Sequence, residues 1–139
     1  MSRSFLYCGL ALALGFVLFP ARATAQQSPT TKRAPYVRIT KGPELERNDS
    51  YLTIIRWTTT NPGGNPVHYG VVYYGTSPGR LGRTAKSPIR LNPYHAYTVF
   101  RVRIGNLRPR TTYYYAVGST DEKGGSDGVK SPVGRFTTP

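Results

Sequence analysis

Beyond an apolar opening stretch, hydrophobic and polar positions alternate along this chain in short blocks. No block keeps a helical apolar period for three turns. β-Branched and aromatic residues recur at every second position instead, and Pro, Gly and Asn separate the blocks, which is how half-buried strands and their turns read. The spacing predicts strands over Tyr36–Thr40, Tyr51–Thr58, Val67–Gly75, a weaker Leu81–Ala85, Tyr97–Ile104, Thr112–Ser119 and Val133–Thr138. Between them lie Asn61-Pro62-Gly63-Gly64-Asn65-Pro66, Thr76-Ser77-Pro78-Gly79, Asn92-Pro93 and the run Lys123–Gly128, all strong turn formers. About seven short strands in about 100 residues make an all-β, Ig-like antiparallel sandwich the expected fold. No internal repeat is present.

The opening stretch has a different character. Met1–Ser4 carries Arg3 and no acid, Phe5–Phe19 is apolar, Pro20 interrupts it, and Ala23-Thr24-Ala25 follows. A short apolar run before a small-x-small site is a secretory signal peptide, and it falls short of the ~20 residues a spanning helix needs. Residues 1–25 are therefore expected to be cleaved, and the protein to be exported to the periplasm or beyond, with the proportions of a bacterial signal. Gln26–Ala34 reads as a flexible lead-in and Pro35–Pro139 as one domain. The glycosylation sequon Asn48-Asp49-Ser50 carries no weight in that compartment.

Composition narrows the chemistry. Nineteen Lys and Arg stand against six Asp and Glu, a formal charge of +13, although only 18% of residues are charged. The imbalance is as much a shortage of acids as an excess of bases. Signal cleavage removes Arg3, Arg22 and the one cysteine, Cys8, so disulfides, zinc modules and thiol nucleophiles are excluded. The acids fall in two predicted loops, as Glu44, Glu46 and Asp49 and as Asp121, Glu122 and Asp127. The second loop has the residues for a weak calcium site, but Lys123, Gly124 and Gly125 suit a solvated turn better. His68 and His95 lie far apart, without the spacing of a metal motif, and no serine has a recognisable histidine and acid in context. No cofactor is implied.

Certain residues carry a resemblance. Trp57 near the end of the second strand, Tyr74-Gly75 closing the third, and Leu107-x-Pro109-x-Thr111-x-Tyr113 opening the sixth resemble a fibronectin type III domain. Within that class, Tyr74–Pro78, Tyr113-Tyr114-Tyr115 with Val117-Gly118, and the closing Gly134-Arg135-Phe136-Thr137-Thr138-Pro139 are similar to the N-terminal domain of purple acid phosphatases. The resemblance implies that Trp57 and Leu107 are structural, and that Pro109 and Tyr113 build a tyrosine corner in which the Tyr113 hydroxyl ties back to upstream backbone. In that family a catalytic metallophosphatase domain follows such a closing stretch, but none of its metal-ligand motifs, G-D-x-x-Y, G-N-H-[DE] or G-H-x-H, occurs in this sequence, so the resemblance implies a relative of the accessory domain without the enzyme. The integrin-binding Arg-Gly-Asp is missing as well; the corresponding loop reads Gly125-Ser126-Asp127-Gly128.

Period-two alternation then sorts each strand into faces. With Trp57 inside, Ile55 and Thr53 follow it and Arg56 faces out. Phe100, Val102 and Ile104 inside put Arg101 and Arg103 outside, and Arg38 faces out from the first strand. In the resembled fold these strands share a sheet, so Arg38, Arg56, Arg101 and Arg103 form a candidate face for anionic envelope polymers, free of acids. The plainer reading is that outward arginines only keep sheet edges soluble. On the other sheet, Tyr69, Tyr73 and Tyr114, with Val71, form a candidate face for a sugar or protein partner, against the alternative of ordinary cross-strand pairing. The sequence thus points to an exported, non-catalytic binding module. The alternative is a domain associated with a purple acid phosphatase, a metallophosphatase domain being the possible partner.

Overall fold

The computed structural model describes residues 32–139; the expected signal peptide and residues 26–31 of the expected lead-in lie outside them. The described chain forms eight strands: β1 (Ile39–Asn48), β2 (Thr53–Thr60), β3 (Val67–Gly75), β4 (Arg83–Arg90), β5 (Tyr97–Ile104), β6 (Thr112–Asp121), β7 (Ser126–Lys130) and β8 (Gly134–Thr137). They make two antiparallel sheets, β1-β2-β5 and β4-β3-β6-β7, with β8 also pairing with β6. The expected sandwich is what the chain forms.

Its core follows the alternation. On β2, Thr53, Ile55, Trp57 and Thr59 are buried, each separated by a half-buried neighbour. Phe100, Val102 and Ile104 of β5 meet Val72 and Tyr74 of β3 and Tyr113, Tyr115 and Val117 of β6 across the interior. Trp57 and Phe100 lie opposite each other in the ladder and stack with ring centroids 5.3 Å apart. Gly70 makes room for them: a Cβ there would stand 3.0 Å from Trp57, Phe100 and Val102 side-chain atoms alike. Only a residue without a side chain lets the indole rest on β3.

Three elements depart from the expected pattern. β1 starts and ends later than predicted and runs straight through Lys41-Gly42-Pro43 and the acidic stretch after it. It is an edge strand with three register irregularities against β2; edge position and bulges are where a sheet accepts Gly and Pro. β4, another edge, extends past the predicted Ala85 through Pro88 to Arg90 for the same reason. An eighth strand comes before the predicted last one: Ser126–Lys130, starting inside the predicted loop, pairs with the end of β6 as β7, while the predicted last strand is β8 and pairs with the beginning of β6.

A basic face, a tyrosine face and a buried polar cluster

The three-stranded sheet brings the arginines together and then compensates them. Arg56 and Arg101 are direct cross-strand partners, and Arg103 lies opposite Ile54. Because β1 continues through the region expected to be a loop, Glu44 sits opposite Arg56, and Arg56 Nη1 donates to its Oε1 at 3.0 Å. Arg101 Nε donates to both carboxylate oxygens of Glu46 at 2.9 Å. The expectation of an acid-free arginine face is thereby corrected. Arg38 precedes β1, and its backbone N–H donates to Thr60 Oγ1. Arg103 is exposed and has no ion pair among the described residues.

The five-stranded sheet shows the reverse. Tyr69, Tyr73 and Tyr114 do face outward, each half-buried, but Val71 between them is only 1% exposed. Val71 lies opposite Gly118 on one side and Lys86 on the other. Lys130 pairs with Gly118 in the ladder and places its ammonium 5.3 Å from the centre of the Tyr73 ring. Arg135 lies opposite Tyr114. No carboxylate occupies an outward position on β3, β4, β6, β7 or β8. The face expected to be merely aromatic is the basic one. The most open tyrosines, Tyr36, Tyr51 and Tyr94, lie elsewhere, outside the strands.

Sequence reasoning missed a third feature. His68 is not a loop-flanking residue but a buried one, 1% exposed, at the end of the core opposite the tyrosine corner. Its Nδ1 meets Asp127 Oδ2 at 2.9 Å and its Nε2 meets the Gly63 carbonyl at 3.2 Å. Ser119 Oγ donates to the same Asp127 oxygen at 2.7 Å. The signal was present in the alternation, since His68 has the parity of Gly70 and Val72, and Ser119 and Asp121 have that of Tyr115 and Val117. The inward rows simply turn polar at this end.

Arg33 closes the cluster from outside. Its Nη1 lies 3.6 Å from Asp121 and its Nη2 3.8 Å from Asp127 Oδ1, and Nη2 donates to the Ser126 carbonyl at 2.6 Å. The next residue is pinned too, as Ala34 N–H donates to the Pro62 carbonyl at 2.8 Å. Gly63 has a positive φ of 61°, and a Cβ on it would lie 2.3 Å from the Lys32 carbonyl, so glycine is what lets the chain cross here. Residues 32–34 therefore form a strap, which corrects the expectation of a flexible lead-in for that part of it. The Gly125 N–H, assisted by the Lys123 N–H and the Arg33 charge, holds the Asp121 carboxyl below its ordinary value of 3.8. The loop that offered residues for calcium is a turn capped by its own backbone.

Chemically the cluster is closed. The serine hydroxyl is directed to the carboxylate rather than to the imidazole, and both ring nitrogens face oxygen acceptors, so no nucleophile–base pair is set up. His95 stands apart, exposed and stacked on Tyr97 at 5.5 Å. No group of three or more His, Cys, Asp or Glu side chains suited to a metal ion occurs among the described residues. A shallow cleft of about 380 Å³ at the opposite end is lined by Asp49, Tyr51, Leu107 and Pro109 among others; it holds neither candidate face.

Comparison with known proteins places this geometry. No curated protein was found to match the chain. One solved structure similar to it is the sensor domain of the anti-sigma factor RsgI4 in Pseudobacteroides cellulosolvens, at 19% identity and a TM-score of 0.49, over 73% of this chain and 88% of that one. The model of the purple acid phosphatase N-terminal domain matches residues 44–138, a span that takes in both sheets, the tyrosine corner and most of the polar cluster. The chain belongs to the purple acid phosphatase N-terminal domain family.

Proposed function

We propose that this protein is an exported, non-catalytic binding module. The observation that carries the reading is how its charges divide. Asp121 and Asp127 are drawn inside with Arg33, while Glu44, Glu46 and Asp49 pair with Arg56, Arg101 and Arg47. Five of the six acids are thus paired with arginines and only Glu122 stands exposed without an ion pair among the described residues, so the surplus of Lys and Arg is left to face outward, where it attracts polyanions. The groups with catalytic potential, His68, Ser119 and Asp127, are bound up in holding one end of the core together.

The direct test is hydrolysis of p-nitrophenyl phosphate by the purified chain with iron, zinc or manganese. No turnover is expected, and metal-dependent turnover abolished by a chelator would overturn the reading. Export is tested by the N-terminus of protein recovered outside the cytoplasm, which should begin at Gln26. The family match supports a second reading, in which the module docks on a metallophosphatase domain. Co-elution with such a domain on size exclusion, insensitive to added polyanion, would favour it.

A further inference from the structure

We propose that the outer face of the five-stranded sheet binds an acidic polysaccharide, its sugar rings lying on Tyr69, Tyr73 and Tyr114 and its carboxylate or sulfate groups meeting Lys86, Lys130 and Arg135. The inference rests on the binding-module reading and assigns it a surface and a ligand class.

Three observations point to this face rather than to the arginine sheet. The first is charge: Glu44 and Glu46 neutralise Arg56 and Arg101 on the three-stranded sheet, whereas the outward rows of the five-stranded sheet contain no acid. An anionic chain crossing those strands meets no like charge on them, Glu122 standing exposed in the turn just beyond β6. The second is register. Tyr69 and Tyr73 each stand two residues from Val71, one on either side of it along β3, and Tyr114 lies one strand over, opposite Gly75. The small residues Gly118 and Ala116, which pair with Val71 and Tyr73, leave room for the Tyr73 ring to lie down across the sheet, its Cε2 3.8 Å from where a Cβ on Gly118 would stand. The third is the placement of the cations: Lys86 lies opposite Val71, Lys130 opposite Gly118 and Arg135 opposite Tyr114, so they flank the aromatic row on both sides. Lys130 already lies 5.3 Å over the Tyr73 ring, which shows that a cation and this ring are within reach of one ligand.

Rings select for a ring-bearing ligand, because tyrosine presents a flat apolar surface with a hydroxyl at its edge. Cations alone select only for charge. A uronate or sulfated polysaccharide satisfies both; a neutral glycan or a polyanion without rings satisfies one.

The test measures binding of the purified chain to heparin and polygalacturonate, with polyphosphate as a ringless polyanion and dextran as a neutral glycan. Heparin and polygalacturonate should bind in a strongly salt-dependent way, and dextran should not bind. Replacing Lys86, Lys130 and Arg135 together with Gln should weaken both acidic polysaccharides about tenfold or more and flatten the salt dependence. Arg101→Gln with Arg103→Gln should change little. Tyr73→Thr with Tyr114→Thr, which keeps good strand formers on the sheet, should weaken the acidic polysaccharides but leave polyphosphate binding unchanged. If the Arg101/Arg103 variant loses binding and the Lys86/Lys130/Arg135 variant does not, the face is wrong while the module reading survives. If the tyrosine pair alters polyphosphate and polysaccharide equally, or alters neither, recognition of sugar rings is overturned. If the wild-type chain binds none of the polyanions, the ligand class falls, and co-elution with a metallophosphatase domain then decides the module reading separately.

Discussion

The two ends of this sandwich solve the same problem with opposite chemistry. At one end the core closes on rings: Tyr113 stacks on Phe136 at 5.7 Å and meets Tyr74 edge-on at 6.2 Å, and Tyr115 packs against Phe136 at 5.8 Å. The polar groups there are few and matched: the Arg108 N–H donates to the Tyr113 hydroxyl at 3.0 Å, and Thr138 Oγ1 accepts from the Thr111 N–H and donates to the Arg108 carbonyl. At the other end the core closes on His68, Ser119, Asp121 and Asp127 with a guanidinium across the opening. The aromatic end gains from area removed from water. The polar end gains only by leaving few of its buried groups without a partner. The lesson is that equal burial does not mean equal robustness, since removing a group from the first end leaves a void and from the second an unmatched charge or donor.

The largest expected effect tests the aromatic end. Tyr113→Ala should cost about 3–5 kcal/mol in urea unfolding, the range for deleting a buried ring. A smaller cost would mean that the corner is dispensable. At the polar end, Asp127→Asn keeps the shape but loses the carboxylate that His68 and Ser119 share, and should cost about 1–3 kcal/mol. Replacing His68, Ser119 and Asp127 together by apolar residues of similar size should cost less than the sum of the single changes, because the three no longer leave one another unmatched and only the Gly63 carbonyl and Arg33 lose a partner. No comparable rescue is expected for Tyr113. Tyr113→Phe, which removes only the hydroxyl, should cost about 1 kcal/mol.

Arg33→Ala should lower global stability by less than about 1 kcal/mol, since half of that side chain is in solvent. It should nevertheless speed amide exchange at Ala34, whose N–H is tied to Pro62. Unchanged exchange there would mean the strap is held without its arginine.

The subtlest difference is in pH. Asp121 is held below 3.8, first by the Gly125 N–H. Its contribution is therefore complete above that value and is lost as pH falls through the lower, folded-state value. The Tyr115 hydroxyl is pushed above 10.0 by burial, so its contribution is complete below 10 and is lost as pH rises through the higher one. Amide exchange around Asp121 and Gly125 should accelerate first in acid, and around Tyr115 and Phe136 first in alkali. Simultaneous loosening of both ends would show that they do not unfold independently.

Much of this could be read from the chain. Alternation around Trp57 and Phe100 located the core of both strands, and the Leu107–Tyr113 run located the corner, because each depends on residues close in sequence. β1 was hidden by Lys41-Gly42-Pro43, which turn chemistry reads as a break although a bulged edge accommodates it. The polar cluster was hidden because its members are up to 59 residues apart, and nothing local distinguishes an inward serine from a solvated one. Alternation puts Arg56, Arg101 and Arg103 on one sheet and leaves Arg38 just ahead of it, but turn chemistry reads Glu44 and Glu46 as loop residues, and only the true extent of β1 sets them against Arg56 and Arg101.

By itself, then, the sequence determined the sandwich, the family and the direction in which most strand residues point, since side-chain direction has a period of two along any strand. Tertiary structure alone decided which charges cancel. Ion pairing depends on which strands lie side by side and in what register, and a few ångströms decide whether an arginine meets a glutamate or water. That is why the acid-poor chain keeps its positive charge most openly over tyrosines rather than over its row of arginines.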